Sequence, residues 1–252
     1  MTGNRTVDRD RRDFLRIAGS GLALFALAGP HLAAAQTSAG SPLKIGMVGS
    51  GREGSALGTA FVKAGHPVMF SSRHPEALKD LVARLGQLAQ AGTVEQAIAF
   101  GDVVAIVVPY TAVEEIGKSH GRALASKVLV MDVSNPIARR DGDAIVKWVG
   151  EQGGAGLATA KLLPGARIVR AFNAIGAGRL AVIAHRAGDP VGVPIAGDDA
   201  KAIAVAETLI REIGFEPVLV GGLAMGKYLL PGTPLAGERT PAEIRQIAAG
   251  LR

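Results

Sequence analysis

The 252-residue chain is long enough for one sizeable hydrophobic core, and its 48% apolar and 20% charged residues exclude a largely disordered protein. The net charge is +6, but there is no run of lysines or arginines and aromatic residues make up only 4%, so the composition favours a site for small anions over a nucleic-acid surface. The chain contains no cysteine, which excludes disulfides, thiolate catalysis and cysteine-ligated metals.

The first 35 residues are predicted to be an export signal. Residues 10–16 read Asp-Arg-Arg-Asp-Phe-Leu-Arg, which resembles the twin-arginine consensus, and an apolar run follows over residues 17–28. Three alanines ending at Ala35 predict cleavage after that residue. A membrane anchor is the alternative, but the run is shorter than the roughly 20 apolar residues that a span needs. We therefore expect export to the periplasm or exterior by the twin-arginine (Tat) machinery, without a stable membrane span.

The mature chain is predicted to contain one nucleotide-binding domain over residues 43–221, after a flexible linker over residues 36–42. Short β-branched apolar runs alternate with helical patterns, which indicates an α/β fold of the Rossmann type with a doubly wound parallel sheet. Strands are predicted over residues 43–48, 67–70, 102–108, 128–133, 167–172, 191–196 and 217–220. Helices are predicted over residues 53–63, 75–85, 94–100 and 199–213, with a glycine-rich loop at 153–156.

The pattern changes over residues 222–252. A Pro/Gly-rich stretch reaches residue 237, and a last helix is predicted over about residues 241–251. We expect this short helical tail to act as a lid or as a contact in a homodimer.

A glycine-rich hexapeptide, Gly49-Ser50-Gly51-Arg52-Glu53-Gly54, joins the first strand to the first helix. A second strand ends about 20 residues later, which is the arrangement that a dinucleotide fingerprint requires. Gly49 permits the tight turn, Gly51 lets the backbone approach a pyrophosphate, and Gly54 lets the helix pack on the strand. The N–H groups at the start of the helix favour phosphate charge. We therefore expect residues 49–54 to bind a nucleotide.

The end of the second predicted strand indicates which nucleotide is bound. NAD-specific folds place an acidic residue there for the ribose 2′-hydroxyl. Here the residues are Ser71, Ser72, Arg73 and His74. A serine hydroxyl can donate to a 2′-phosphate and a guanidinium can pair with it, whereas a carboxylate would repel it. The sequence therefore favours NADP(H), with Ser72 and Arg73 at the 2′-phosphate.

The fingerprint and the Ser72-Arg73 pair give the chain a resemblance to the coenzyme F420-dependent NADP oxidoreductase family. The resemblance covers nearly all of residues 43–230 and includes residues 107–110, 132–136, 170–177, 196–199 and 221–223. It implies that residues 49–54 hold the pyrophosphate and that Val108 and Pro109 line a nicotinamide pocket. For Pro109 and Pro136, simple strand termination is an alternative interpretation.

The same resemblance implies a second binding cleft. Asn135 and Ala177, with Asn173 nearby, would face the space where a second ring stacks on the nicotinamide. The implied reaction is hydride transfer between NADP(H) and a deazaflavin (coenzyme F420) or flavin-like acceptor.

Such a transfer needs no protein acid or base in principle, because ring orientation and distance do most of the work. The sequence contains no Ser/Tyr/Lys dehydrogenase triad, and His66, His120 and His185 are isolated from one another. We therefore predict these histidines to be surface or turn residues, Lys227 to be structural, and the protein to lack a catalytic side chain and a metal centre.

Two other functions remain open. The chain is alternatively a reductase of another small acceptor, such as a ferric chelate or an imine. It is also alternatively an exported NADP-binding protein without turnover, since free NADPH is not expected outside the cytoplasm. Retention of a tightly bound nucleotide would favour the second alternative. The expected partners in the leading interpretation are a small-molecule redox acceptor and the Tat machinery.

Overall fold

The computed structural model describes residues 41–251, which belong to one compact unit. The export signal, its cleavage site and most of the linker lie outside these residues and stay predictions. Within residues 41–251, none of the helices combines the length and the apolar character needed to cross a bilayer.

The predicted alternation of strands and helices is present, and the structure contains more elements than the sequence predicted. Eight strands form: β1 (Ile45–Val48), β2 (Val68–Ser71), β3 (Ala89–Gly92), β4 (Val103–Ile106), β5 (Leu129–Asp132), β6 (Ile168–Arg170), β7 (Gly192–Gly197) and β8 (Glu216–Gly221). The helices of the first half are α1 (Arg52–Lys63), α2 (Lys79–Leu85), α3 (Val94–Phe100), α4 (Val113–Ala125) and α5 (Ala138–Asp141). Those of the second half are α6 (Asp143–Glu151), α7 (Ala155–Leu162), α8 (Ala177–Ile183), α9 (Ala200–Glu212) and α10 (Pro241–Ala249), and 3₁₀ turns occur at Pro75–Leu78, Tyr110–Ala112 and Leu223–Tyr228.

The strands form a single sheet in the order β3-β2-β1-β4-β5-β6-β7-β8. All neighbouring pairs are parallel except β6 and β7, which pair antiparallel through Val169↔Gly197 and Arg170↔Ala196. The chain therefore reverses strand direction at β7. This confirms the Rossmann-type α/β class, with a sheet that is parallel except at the β6–β7 pair.

The core lies on both faces of the sheet, because β1, β4 and β5 are buried along their whole length. Leu57 and Phe61 of α1 pack on one face together with Leu209 of α9. Ile98 of α3 and Leu124 of α4 pack on the other. Strands covered on both faces read as continuous apolar runs, which is why the sequence located them well.

Other sequence assignments require correction. No element was predicted for β3 or for α4 to α8, and the helix predicted over residues 75–85 begins as a 3₁₀ turn. The expected loop at residues 153–156 ends at Gly154, and Gly156 already lies inside α7. A Cβ on Gly156 would lie 2.0 Å from the Leu223 carbonyl oxygen, so this glycine permits close packing of α7 on the 3₁₀ turn.

The tail packs back onto the reversed strands. Leu229, Leu235 and Ile244 are fully buried in a cluster with Val218 and Val220 of β8. Thr240 caps α10 through a capping box with Glu243, and Pro241 occupies the first turn. The role of the tail as a lid or dimer contact stays a prediction.

Candidate functional site

Two neighbouring cavities open where the loops that follow the parallel strands meet at one edge of the sheet, as expected for doubly wound folds. The β2 cavity, of about 580 Å³, is lined by Gly49, Ser50, Gly51, Ser71, Ser72, Arg73, Leu78, Val94, Val108, Pro109, Thr111, Ala112, Glu115 and Ile116. The β5 cavity, of about 570 Å³, is lined by residues 51–54, 107–109, 133–135, 137, 140, 172–176 and 231. Gly51, Val108 and Pro109 belong to both walls, so these three residues form the border between the cavities.

The glycine-rich loop at this border is tightly packed at two of its glycines. Gly49 has φ +101°, and a Cβ there would lie 2.3 Å from the Val107 carbonyl oxygen. A Cβ on Gly54 would lie 1.9 Å from the Gly49 oxygen. A Cβ on Gly51, by contrast, would meet no atom within 4 Å. The loop therefore packs tightly through Gly49 and Gly54 and leaves open space above Gly51, which fits a pyrophosphate lying against the backbone.

Hydrogen bonds that involve serine residues hold this loop against the end of β2. The Gly49 N–H donates to Ser71 Oγ at 3.1 Å, and Ser50 Oγ donates to the Ser71 carbonyl oxygen at 2.6 Å. Ser55 Oγ in turn donates to the Ser50 carbonyl oxygen at 2.8 Å. The Ser50 hydroxyl proton is thus used inside the protein, and Ser50 holds the loop in place.

Ser72 and Arg73 line the β2 cavity, and their predicted contact with a 2′-phosphate stays a prediction. Ser72 Oγ accepts the His74 N–H at 3.0 Å, which leaves the hydroxyl proton available for a ligand. Arg73 is exposed, and its guanidinium makes no hydrogen bond or ion pair with the residues that the structure describes. The carboxylate of Glu115, also in this wall, accepts from Ser119 Oγ at 2.7 Å.

A buried ion pair supports the β5 cavity. Asp132, at the end of β5, pairs with Arg170, at the end of β6, and both side chains are fully buried. Asp132 also accepts the Ser134 N–H at 2.9 Å and the Thr159 hydroxyl at 2.8 Å. Arg170 Nη2 donates to the Ser134 carbonyl oxygen at 3.1 Å, and such further hydrogen bonds offset part of the cost of burying the pair. Arg170 Nε is buried without a partner among the described residues.

Tyr110 closes this network on the side away from the cavities. Its hydroxyl lies 3.0 Å from Thr159 Oγ1, and the residue is 2% exposed. Burial raises the pKa of Tyr110 to about 12, with the nearby Asp132 carboxylate adding to the rise. Tyr110 is therefore a neutral structural phenol.

The network fixes two asparagines in the wall of the β5 cavity. Arg170 Nη2 donates to Asn135 Oδ1 at 3.2 Å, and Asn135 Nδ2 donates to the Asn173 carbonyl oxygen at 2.7 Å. Asn173 Nδ2 donates to the carbonyl oxygen of Asp132 at 3.1 Å. Both amides donate through nitrogen to a carbonyl oxygen, which determines their orientation, while Asn173 Oδ1 is buried without a partner among the described residues.

Phe172, between Arg170 and Asn173, has a strained backbone with φ +60°. Its ring is 2% exposed and packs edge-on against Phe215, with ring centroids 5.6 Å apart. A bulky residue in the left-handed region costs on the order of 1 kcal/mol and persists only where the surroundings hold it. This backbone conformation turns the chain so that the Asn173 side chain contacts the end of β5.

Arg140 adds a positive charge to the wall of the β5 cavity. Its Nη2 donates to the Asn135 carbonyl oxygen at 2.6 Å and pairs with Asp141 at 2.8 Å. Burial opposes ionisation of Asp141, but hydrogen bonds from Arg140 and from the Ile137 N–H outweigh it and lower its pKa. The sequence analysis did not single out Arg140, because its contact with the wall depends on the turn into α5.

Glu53 was expected to act only as part of the phosphate loop, and it lines the β5 cavity but not the β2 cavity. Burial raises its pKa to about 7, while the Ala177 N–H and the charge of Arg52 act in the opposite direction. Its Oε1 is buried without a hydrogen-bond partner among the described residues. A titrating carboxyl group thus stands in the site.

The remaining sequence candidates lie at the edge of the site or away from it. Ala177 begins α8 directly after Gly176, and its side chain is not in either wall. His66, predicted to be a surface or turn residue, directly follows the turn at residues 64–65 and is buried, with its Nε2 2.9 Å from Glu212 Oε2. Neither His66 nor His120 nor His185 lines either cavity.

Two segments of the family resemblance have a structural role at the reversed strands. Asp199 caps α9 by accepting the Ala202 N–H at 2.8 Å, and Asp198 accepts the Leu223 N–H at 3.1 Å. Lys227 Nζ lies 4.9 Å from the centre of the Tyr228 ring, outside both walls. Across residues 41–251 no cluster of three His, Asp or Glu side chains is arranged to hold a metal ion.

Comparison with known proteins defines the class. Residues 44–136, which run from β1 through the end of β5, match the family model described as NADP oxidoreductase, coenzyme F420-dependent. This segment contains the glycine-rich loop, Ser72, Arg73 and Asn135. The match supports the coarser conclusion from the sequence, an oxidoreductase of the NAD(P)-dependent class.

Individual proteins resemble this chain in sequence or in fold. Metalloreductase STEAP3 of Rattus norvegicus is 31% identical over 190 residues, which cover 73% of this chain but only 35% of that protein. A crystal structure of a hypothetical protein from Sinorhizobium meliloti superimposes with a TM-score of 0.65 at 26% identity, covering 79% of this chain and 96% of that one. A candidate F420-dependent NADP reductase from an Arthrobacter species shares the fold, with a TM-score of 0.58 at 19% identity over 73% of this chain and 87% of that one.

Proposed function

We propose that the protein is an NADP(H)-dependent oxidoreductase that transfers hydride between the nicotinamide and a deazaflavin (F420) or flavin-like acceptor. The observation that carries this proposal is the pair of cavities bordered by Gly51, Val108 and Pro109. A dinucleotide lying across this border would place its pyrophosphate over Gly51, with one nucleoside in each cavity.

The polarity of the two walls supports one orientation of that dinucleotide. The β2 cavity offers the Ser72 hydroxyl and the Arg73 guanidinium, which suit a 2′-phosphate. The nicotinamide would then occupy the β5 cavity, where it supplies or receives the hydride. Pro109, Asn135 and Asn173 would orient the rings from fixed positions, and orientation is the main contribution that a protein makes to such a transfer.

The charge of the β5 cavity supports an anionic acceptor. Arg52 and Arg140 both lie in its wall. The volume of about 570 Å³ falls within the range of small-molecule sites. Deazaflavin and flavin nucleotides carry phosphate groups, which these guanidinium groups would attract.

The rat metalloreductase match gives a specific reason to keep a second candidate, reduction of a ferric chelate. An experiment distinguishes the two candidate functions. The mature protein is purified, any bound nucleotide is released, and NADPH oxidation is measured with F420, FMN, FAD and ferric citrate. Turnover with F420 or a flavin supports the proposal, and turnover with ferric citrate alone contradicts it. Tight NADPH binding without oxidation by any acceptor would show a binding protein without turnover.

We also propose that the protein acts after export, because of the arginine pair and the alanines ending at Ala35. N-terminal sequencing of protein from the native cells tests this. A mature start near Gln36 in the exported fraction is expected, and an intact leader in the cytosol would contradict it.

A further inference from the structure

Glu53 differs chemically from everything else in the wall of the β5 cavity. Three side chains in that wall are ionisable, namely Arg52, Glu53 and Arg140. Arginine stays protonated in proteins. Glu53 is therefore the wall group that can gain or lose a proton near neutral pH.

Burial of Glu53 favours its protonated form. Oε1 is buried without a hydrogen-bond partner among the described residues, which disfavours the carboxylate, whereas a hydrogen bond from the Ala177 N–H favours it. Burial raises the pKa to about 7. The terminal carboxyl torsion of glutamate is soft, so either oxygen can turn toward the cavity.

The charged groups around Glu53 are few. Arg52 precedes it on α1 and lowers its pKa. Arg140 lines the same cavity and is paired with Asp141. On α8, which packs against α1, Arg179 is exposed and paired with Glu238. A bound pyrophosphate over Gly51 would add negative charge close by, which favours the neutral carboxyl further.

We propose that Glu53 is the proton donor of the reaction and that the acceptor is an organic molecule that takes up a proton together with the hydride. This inference rests on the proposed function. The nicotinamide C–H bond breaks and its electron pair moves with the hydrogen to the acceptor. The Glu53 O–H bond breaks and its proton moves to a nitrogen or oxygen of the acceptor. The products are NADP⁺, the two-electron-reduced acceptor and a Glu53 carboxylate, which water reprotonates.

This chemistry selects among acceptors. Flavins, deazaflavins and imines each gain a hydride and a proton when reduced. A ferric chelate gains one electron and no proton, so a proton donor has no part in its reduction. The placement of Glu53 therefore favours an organic acceptor over a metal chelate.

The first test measures the carboxyl group itself. In protein with ¹³C-labelled glutamate, the Glu53 carboxyl resonance should titrate near pH 7 and move to higher pH when NADP⁺ is added. Glu53→Gln should remove this resonance, and Glu95→Gln, which changes an exposed glutamate in the first turn of α3, should leave it in place. An ordinary glutamate titration, with and without NADP⁺, overturns the proposal.

The second test measures turnover with FMN, F420 and 1-pyrroline as acceptors. The kcat of the wild type should fall as the pH rises above the pKa of Glu53, because the protonated form is the donor. Glu53→Gln should lower kcat by about 10²–10⁴ and remove the pH dependence, whereas Glu53→Asp should recover part of the rate. Retained kcat in Glu53→Gln while NADPH still binds overturns the proton-donor role alone. Failure of the wild type to bind NADPH overturns the proposed function and this role together.

Discussion

The β2 cavity and the β5 cavity share a border, yet they are built in different ways. The distinguishing groups of the β2 cavity, Ser72 and Arg73, are neighbours in the chain and stand near its surface. The wall of the β5 cavity depends on a buried network that joins the ends of β5 and β6 through Asp132 and Arg170. Under the proposed function, nucleotide selectivity is a local property of one turn, whereas the geometry for hydride transfer depends on long-range packing. Substitutions should therefore affect the two cavities separately, unless they fall on the border.

The largest effect is expected at the border, where Gly51→Val should abolish measurable nucleotide binding. The added side chain meets no protein atom but occupies the space proposed for the pyrophosphate. The backbone of Gly51, at φ −66°, is accessible to valine, so the fold should be retained. Calorimetry with NADPH measures the loss. The control is Gly121→Val on α4, which also points into open space and should bind normally; unchanged binding in Gly51→Val would mean that the loop is only a structural turn.

Breaking the β5 network should have the next largest effect. Asp132→Asn leaves the fully buried Arg170 without its charged partner, so the free energy of unfolding should fall by about 3–5 kcal/mol. Urea denaturation measures this, with the exposed Asp80→Asn on α2 as the control. In the fraction that stays folded, the preference for NADPH over NADH should be unchanged. A loss no larger than that of the control would show that the ion pair does not support the cavity.

A substitution confined to the β2 cavity should change the preference for NADPH over NADH. Arg73→Ala should weaken NADPH binding about 10- to 100-fold relative to NADH, because hydrogen bonds to charged groups contribute roughly 1.5–3 kcal/mol and only NADPH carries the 2′-phosphate. Fluorescence titration with both nucleotides measures the ratio. Arg84→Ala, in the last turn of α2, is the matched control. Equal weakening of both nucleotides would contradict the assignment.

The smallest effect concerns stability and pH. Glu53 has a pKa raised from 4.5 to about 7 in the fold, so the native state binds more protons than the unfolded state between these values. Stability should therefore fall as the pH rises from about 4.5 to 7, and Glu53→Gln should remove that fall. The difference is on the order of 1–2 kcal/mol after allowance for solvent screening of a partly exposed group. Thermal unfolding at pH 5 and pH 8 tests this, and parallel pH dependence in both proteins would argue against a buried carboxyl group.

The contrast between the cavities also explains how much of the molecule could be predicted from its sequence. The glycine-rich loop and the Ser72-Arg73 turn were located because each is read from a few consecutive residues next to an apolar strand. The strands buried on both faces were located because each is a continuous apolar run in the sequence. The structure places both of these segments in the cavity walls.

The β5 cavity was harder to predict from the sequence, because its geometry depends on contacts between residues that are far apart in the chain. Asn135 and Asn173 were named only through a family resemblance, and nothing local indicated that Arg170 would fix one of them. The positive φ of Phe172 has no sequence signal, since bulky residues rarely adopt it. Glu53 offered one clue, a carboxylate within a phosphate loop, but its raised pKa follows from burial that appears only in the folded chain.

The position of β1 has a mechanical consequence. The first strand after the predicted leader lies in the middle of the sheet and pairs with β2 and β4, so Ile45 is opposite both Val68 and Val103. Force applied through the N-terminal residues would load this strand along its own axis, and both ladders would have to shear together before it came out. A translocase that threads unfolded chains would meet its greatest resistance at the very first element. A translocase that carries folded cargo, as proposed for this protein, never has to apply that force.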